Sequence, residues 1–115
     1  MRLLELEPKF VVTTENGCRW VETLAEAQGV IFSCPRCFVN LGNTLVGAHS
    51  IICWSSSRGA RPDAVPLPGR WALAGTGLAD LSLNAEPPET RDSVELRGPG
   101  CGAHFHIKNG EVTFC

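Results

Sequence analysis

The chain lacks any apolar run near the roughly 20 residues a membrane-spanning helix needs. It lacks a positive excess as well. A formal net charge of -2 over 115 residues leaves no broad cluster of lysine and arginine to neutralise phosphates, so nucleic acid is not the expected partner. The opening segment, Met1-Arg-Leu-Leu-Glu-Leu-Glu-Pro, places acidic residues where a secretory signal carries its apolar stretch, and a cytoplasmic location is expected. There is no internal repeat and no low-complexity tract.

What is present describes an ordinary folded chain. The hydrophobic fraction is 43% and the charged fraction 19%, which suits a soluble globular protein rather than a disordered one. The length fits one domain, residues 1–115, with a core but little reserve. One local charge bias stands out. Residues 55–70 hold Arg58, Arg61 and Arg70 against a single Asp63, between Trp54 and Trp71. This reads as a solvated loop, with contact to an acidic partner as the alternative.

Six cysteines are more than usual but too few for a disulfide mini-protein. In a reducing compartment, clustered cysteines point to metal binding or catalysis instead.

Along the chain, residues 9–14 (Lys-Phe-Val-Val-Thr-Thr) read as a strand, and Glu15-Asn16-Gly17 as a turn. From Arg19 to Gln28 the spacing of Trp20, Val21, Leu24 and Ala27 predicts a short helix, with Gly29 as its left-handed C-terminal cap. Val30-Ile31-Phe32 is a strand leading into Cys34-Pro35-Arg36-Cys37, and the residues after Cys37 read as loop or strand. A further strand is expected over Thr44 to Trp54, then a Ser-, Gly- and Pro-rich loop to Gly69. Short strands follow at Trp71 to Ala74, Leu78 to Leu83 and Val94 to Leu96, the last ended by Gly98-Pro99-Gly100. Residues 85–92 are read as loop.

Asn109-Gly110 is the strongest two-residue hairpin signal. A type I′ turn there sets Lys108 opposite Glu111, Ile107 opposite Val112, His106 opposite Thr113, Phe105 opposite Phe114 and His104 opposite Cys115. Alternation puts Phe105, Ile107, Val112 and Phe114 on one face. It puts His104, His106, Thr113 and Cys115 on the other.

Two thiolates two residues apart, as in Cys34-Pro-Arg-Cys37, can share one tetrahedral zinc. A redox reading would need the motif at the start of a helix in a βαβ context. Cys101-Gly102-Ala103-His104 repeats the spacing, with glycines that free the backbone to wrap a metal. Cys34, Cys37, Cys101 and His104 together make a Cys₃His set for a structural Zn²⁺. His106, Cys115, His49 and Cys53 compete to replace or supplement a ligand. Cys53 and Cys18 otherwise read as buried free thiols. The pair His104 and His106 admits a catalytic zinc with an open water position, whereas Glu86, Glu89, Asp92 and Glu111 read as solvated charges. Trp20, Trp54 and Trp71 read as core or rim aromatics with one edge hydrogen-bonded, or, if exposed, as a binding surface.

The order Cys-Pro-x-Cys, His-Ser-Ile-Ile-Cys-Trp, Gly-Arg-Trp-Ala-Leu-Ala-Gly-Thr-Gly and Gly-Cys-Gly-Ala-His-Phe-His-Ile-Lys-Asn-Gly resembles a family of small uncharacterised zinc-binding proteins. That family is common in tailed bacteriophages and prophages and is related to a domain in bacterial ubiquitin-like gene clusters. The resemblance runs from about Gln28 to the end of the chain. It implies a phage or prophage origin in a bacterial host cell, with Cys34, Cys37, Cys101 and His104 as ligands and His49 and Trp71 as further motif residues. More distant relatives carry a cysteine immediately before the motif histidine; here that position is Ala103, and Cys101 takes its place.

These readings converge on a mostly β, small α+β domain stapled by zinc, with one short helix and a C-terminal hairpin. The expected role is a non-enzymatic accessory or protein-interaction module with a protein partner. The alternatives are a zinc hydrolase using the His104/His106 face and a nucleic-acid-binding zinc module.

Overall fold

The computed structural model describes residues 1–66, 69–96 and 100–115. Gly98 and Pro99 of the expected Gly-Pro-Gly turn, and Leu67 and Pro68 of the expected loop, lie outside the described residues. The fold is mostly β with one short α-helix, as expected. Among the described residues, three antiparallel sheets form.

The first sheet has the order β2-β1-β3-β4, built from β1 (Lys9–Thr14), β2 (Gly17–Val21), β3 (Gly29–Ser33) and β4 (Ser50–Trp54). β1 and β2 form a tight hairpin in which Thr14 opposes Gly17 and Phe10 opposes Val21. The helix expected over Arg19 to Gln28 is therefore absent. Trp20 and Val21 are aromatic and β-branched, and pairing with β1 outweighs a helical spacing that rests on few residues. Trp20 lies 67% exposed at the sheet edge, with Lys9 Nζ 5.6 Å from its ring centroid. Leu24 and Ala27 are still buried, through a single turn closed by the Ala27 N–H on the Leu24 carbonyl at 3.1 Å. Gly29 is not a helix cap. It pairs with Trp54 inside the sheet, where a Cβ would press on the Cys53 carbonyl and the Trp54 ring.

The α-helix lies one segment later, at α1 (Pro35–Asn40), after Cys34. Pro at the first helical position is preorganised for it. The expected strand over Thr44 to Trp54 shortens to β4, and residues 44–49 turn.

The second sheet pairs β5 (Trp71–Ala74) with β6 (Ser82–Ala85). A 3₁₀ turn at Leu78–Asp80 takes part of the strand expected there. The third has the order β7 (Val94–Glu95), β8 (His104–Lys108) and β9 (Glu111–Phe114). The hairpin register is the one the Asn-Gly turn demands: Lys108 opposes Glu111, Ile107 opposes Val112, His106 opposes Thr113 and Phe105 opposes Phe114.

The core draws on all three sheets, with Leu73 and Leu83 of the second packed with residues of the first and third. Phe32 of β3 meets Phe105 of β8 edge to face, with centroids 6.0 Å apart. Leu3 and Leu6, from a 3₁₀ turn at Leu3–Leu6, fill in from below and are fully buried. That turn is tied to the hairpin, since the Leu3 N–H donates to the Gly110 carbonyl at 2.8 Å and Val112 N–H to the Met1 carbonyl at 2.7 Å. No helix among the described residues is long and apolar enough to cross a membrane.

Candidate metal centre

Three segments converge at one end of the core. Cys34 lies between β3 and α1 as the N-cap residue of the helix, and Cys37 falls in the helix's first turn. β4 returns antiparallel to β3, pairing Ser33 with Ser50. One register step further, Cys34 and His49 face each other, and the Cys34 N–H donates to the His49 carbonyl at 2.8 Å. Cys101 arrives from the approach to β8, 67 positions from Cys34. Gly102, at φ +64°, turns the chain there through a conformation that side chains resist.

The donor atoms of Cys34, Cys37, His49 and Cys101 all lie within 4.8 Å of one another. Tetrahedral zinc, at about 2.3 Å from sulfur and about 2.0–2.1 Å from nitrogen, sets sulfur–sulfur edges of about 3.8 Å and sulfur–nitrogen edges of about 3.6 Å. Here Cys34 Sγ and Cys101 Sγ are 3.6 Å apart, and His49 Nε2 is 3.5 Å from Cys101 Sγ. A disulfide requires about 2.05 Å. The residues therefore fit a single four-coordinate ion.

The thiols differ electrostatically. Burial pushes Cys34 up, with Cys101 adding to it and the backbone amides of Cys37 and Arg36 opposing. At Cys101 burial acts the same way, but hydrogen bonds from His49, the Ala103 amide and the other two thiols outweigh it and bring the group down to about 7. Cys101 is the first of the pair to carry charge. A bound dication would bring the others with it.

His104, read from sequence as the fourth ligand, is not in this cluster. Ala103 is fully buried, so strand alternation turns His104 to the opposite face of the hairpin, where its Nε2 meets Ser93 Oγ at 3.1 Å. His49 stands in its place. His106 is also elsewhere, between Asp92 Oδ1 at 3.1 Å and Cys115 Sγ at 3.3 Å. Cys53 is fully buried, and burial pushes its thiol up; Cys18 is exposed. The signal for His49 was its place just before the strand that follows the Cys-Pro-x-Cys element, which requires the β3–β4 register to interpret.

The helix at the motif meets half of the redox condition. The flanking strands, however, are antiparallel neighbours in one sheet, not the parallel pair of a βαβ unit.

No family model, curated protein or solved structure matches the chain.

Other residues singled out in the sequence are engaged within the fold, and Trp54 and Trp71 are core or rim aromatics with one edge hydrogen-bonded, as expected. Arg58 Nη1 donates to the Leu24 carbonyl at 2.7 Å. Arg70 donates to the carbonyls of Pro66, Gly69 and Ala64, holding its own loop. Trp54 is 2% exposed and bonds the Val65 carbonyl through Nε1, and Trp71 Nε1 bonds the Ser93 carbonyl at 3.3 Å. Glu86, expected as a solvated charge, is buried.

Proposed function

We propose that Cys34, Cys37, His49 and Cys101 hold one structural zinc ion, and that the protein is a non-enzymatic, zinc-stapled interaction module of phage or prophage type acting on a protein partner. The observation that carries the metal reading is the convergence of three thiols and one imidazole within 4.8 Å of one another, with the Cys34–Cys101 and His49–Cys101 pairs at tetrahedral edge lengths. Four protein donors saturate zinc, which is the mark of a structural rather than a catalytic site. The hydrolase alternative needs an open position and the His104/His106 face. Those imidazoles are bonded to Ser93, Asp92 and Cys115 instead. The phage assignment rests on the motif resemblance alone.

The test is zinc content per chain after purification with zinc present. The wild-type protein is expected to carry one equivalent. His49→Ala lowers retention under mild chelation by on the order of a hundredfold, whereas His104→Ala retains zinc as wild type does. The reverse ranking would restore His104 as the ligand and overturn this assignment.

A further inference from the structure

The outer face of the C-terminal hairpin carries a second group of reactive side chains, separate from the metal centre. Cys115 continues the register of β9: its backbone N–H donates to the His104 carbonyl at 3.0 Å. Its Sγ lies 3.3 Å from Nδ1 of His106, the diagonal neighbour across the strands. The other ring nitrogen, Nε2, is 3.1 Å from Asp92 Oδ1, and Lys108 Nζ is 3.0 Å from Asp92 Oδ2. The Lys108 hydrogen bond, opposed only by slight burial, holds the Asp92 carboxyl below the usual carboxylate range. A carboxylate only accepts, so Nε2 carries the ring proton and Nδ1 turns its lone pair toward the thiol. Because the two ring nitrogens face different partners, the arrangement is no chelate. It has the order of nucleophile, base and orienting acid.

We propose that Cys115 is a reactive thiol, served by His106 as base and aligned by Asp92, that undergoes exchange with small organic disulfides. As Sγ attacks one sulfur of the disulfide, its proton passes to His106 Nδ1. A new S–S bond forms at Cys115 and the original S–S bond breaks. The departing thiolate leaves with the electron pair and takes the proton back from the imidazolium, so one thiol is oxidised and one half of the disulfide is reduced. Access needs no opening of the fold: Cys115 is exposed, and the side chains of His106 and Asp92 are each 38% exposed.

The molecule contains its own comparator. Cys18 is also exposed but has no side-chain hydrogen bond among the described residues. The experiment treats the full chain, prepared with zinc, with glutathione disulfide and follows mixed-disulfide formation at each cysteine by peptide mass spectrometry. Cys115 is expected to react about tenfold faster than Cys18, less than the 10²–10⁴ of an enclosed enzyme site because water competes at a surface. His106→Gln brings Cys115 down to the rate of Cys18 and leaves Cys18 unchanged; Asp92→Asn, altering a positioning residue, gives an intermediate rate. Equal rates at the two cysteines in the wild type would overturn the proposal, as would a His106→Gln rate at Cys115 unchanged from wild type. Cys53, fully buried, reports unfolding of a variant by becoming modified, and the wild-type ratio then decides alone.

Discussion

Glu86 carries its carboxylate into a site only 5% exposed and is met there by serine donors. Its Oε1 accepts from Ser55 Oγ at 3.1 Å and from the Ser57 N–H at 2.6 Å, and its Oε2 from the Ser56 N–H at 3.0 Å. Burial alone would raise its pKa, but these bonds and the Ser57 hydroxyl lower it below the ordinary glutamate value. A depressed folded value means that the native state holds its proton less tightly than the unfolded chain does. The stabilisation is then complete above the unfolded value, about 4.3, and drains away as pH falls through the lower folded value. Glu86→Gln is expected to lower unfolding free energy by about 1–3 kcal/mol at neutral pH, with the gap from wild type narrowing below about pH 4.3. Urea titration at two pH values checks both. A gap that widened on acidification would reverse the sign of the argument.

At the scale of elements, turn chemistry and long-range pairing decide different things. The Asn109-Gly110 turn has both residues at positive φ, +51° and +76°, as a type I′ hairpin requires. That local rule made the β8–β9 register and its two faces legible in sequence. The same holds for β1 and β5, whose bounds match their apolar runs. The helix expected over Arg19 to Gln28 failed because a few apolar positions at helical spacing are equally met by a strand followed by a turn. α1 was missed because six residues show too little periodicity to separate from loop. Three of the four clustered donors were legible from Cys-x-x-Cys and Cys-x-x-His spacing. His49 in place of His104 was not, since the choice depends on which strand β4 pairs with and which face Ala103 occupies. The hairpin turn also meets the rest of the fold at close range. The Gly110 N–H donates to the Leu81 carbonyl at 2.8 Å, and a Cβ on Gly110 would collide with the Ala79 carbonyl. Gly110→Ala is therefore expected to destabilise by more than about 2 kcal/mol. Gly42→Ala, at φ +84° with open space around its Cβ, carries only the conformational strain, about 1 kcal/mol. Thermal denaturation of both variants separates contact from strain, and equal losses would remove the contact from the account.

For the whole molecule, the two larger sheets are joined by a shared apolar core and by a polar cluster at its end. Phe32 against Phe105 lies within that apolar core. The cluster of Cys34, Cys37 and His49 with Cys101 closes a span of 67 positions. A structural zinc there would contribute on the order of 10 kcal/mol of apparent folding free energy, comparable with the total stability of a typical domain. That is a sufficient role for the metal without catalysis, and it leaves the outer hairpin face free for separate thiol chemistry. The most direct test is X-ray absorption at the zinc edge on the purified, zinc-loaded protein. The expected result is a four-coordinate shell of three sulfurs at about 2.3 Å and one imidazole nitrogen at about 2.0–2.1 Å. A fully folded protein that takes up no zinc, or a shell dominated by oxygen and nitrogen with an added water, would contradict it.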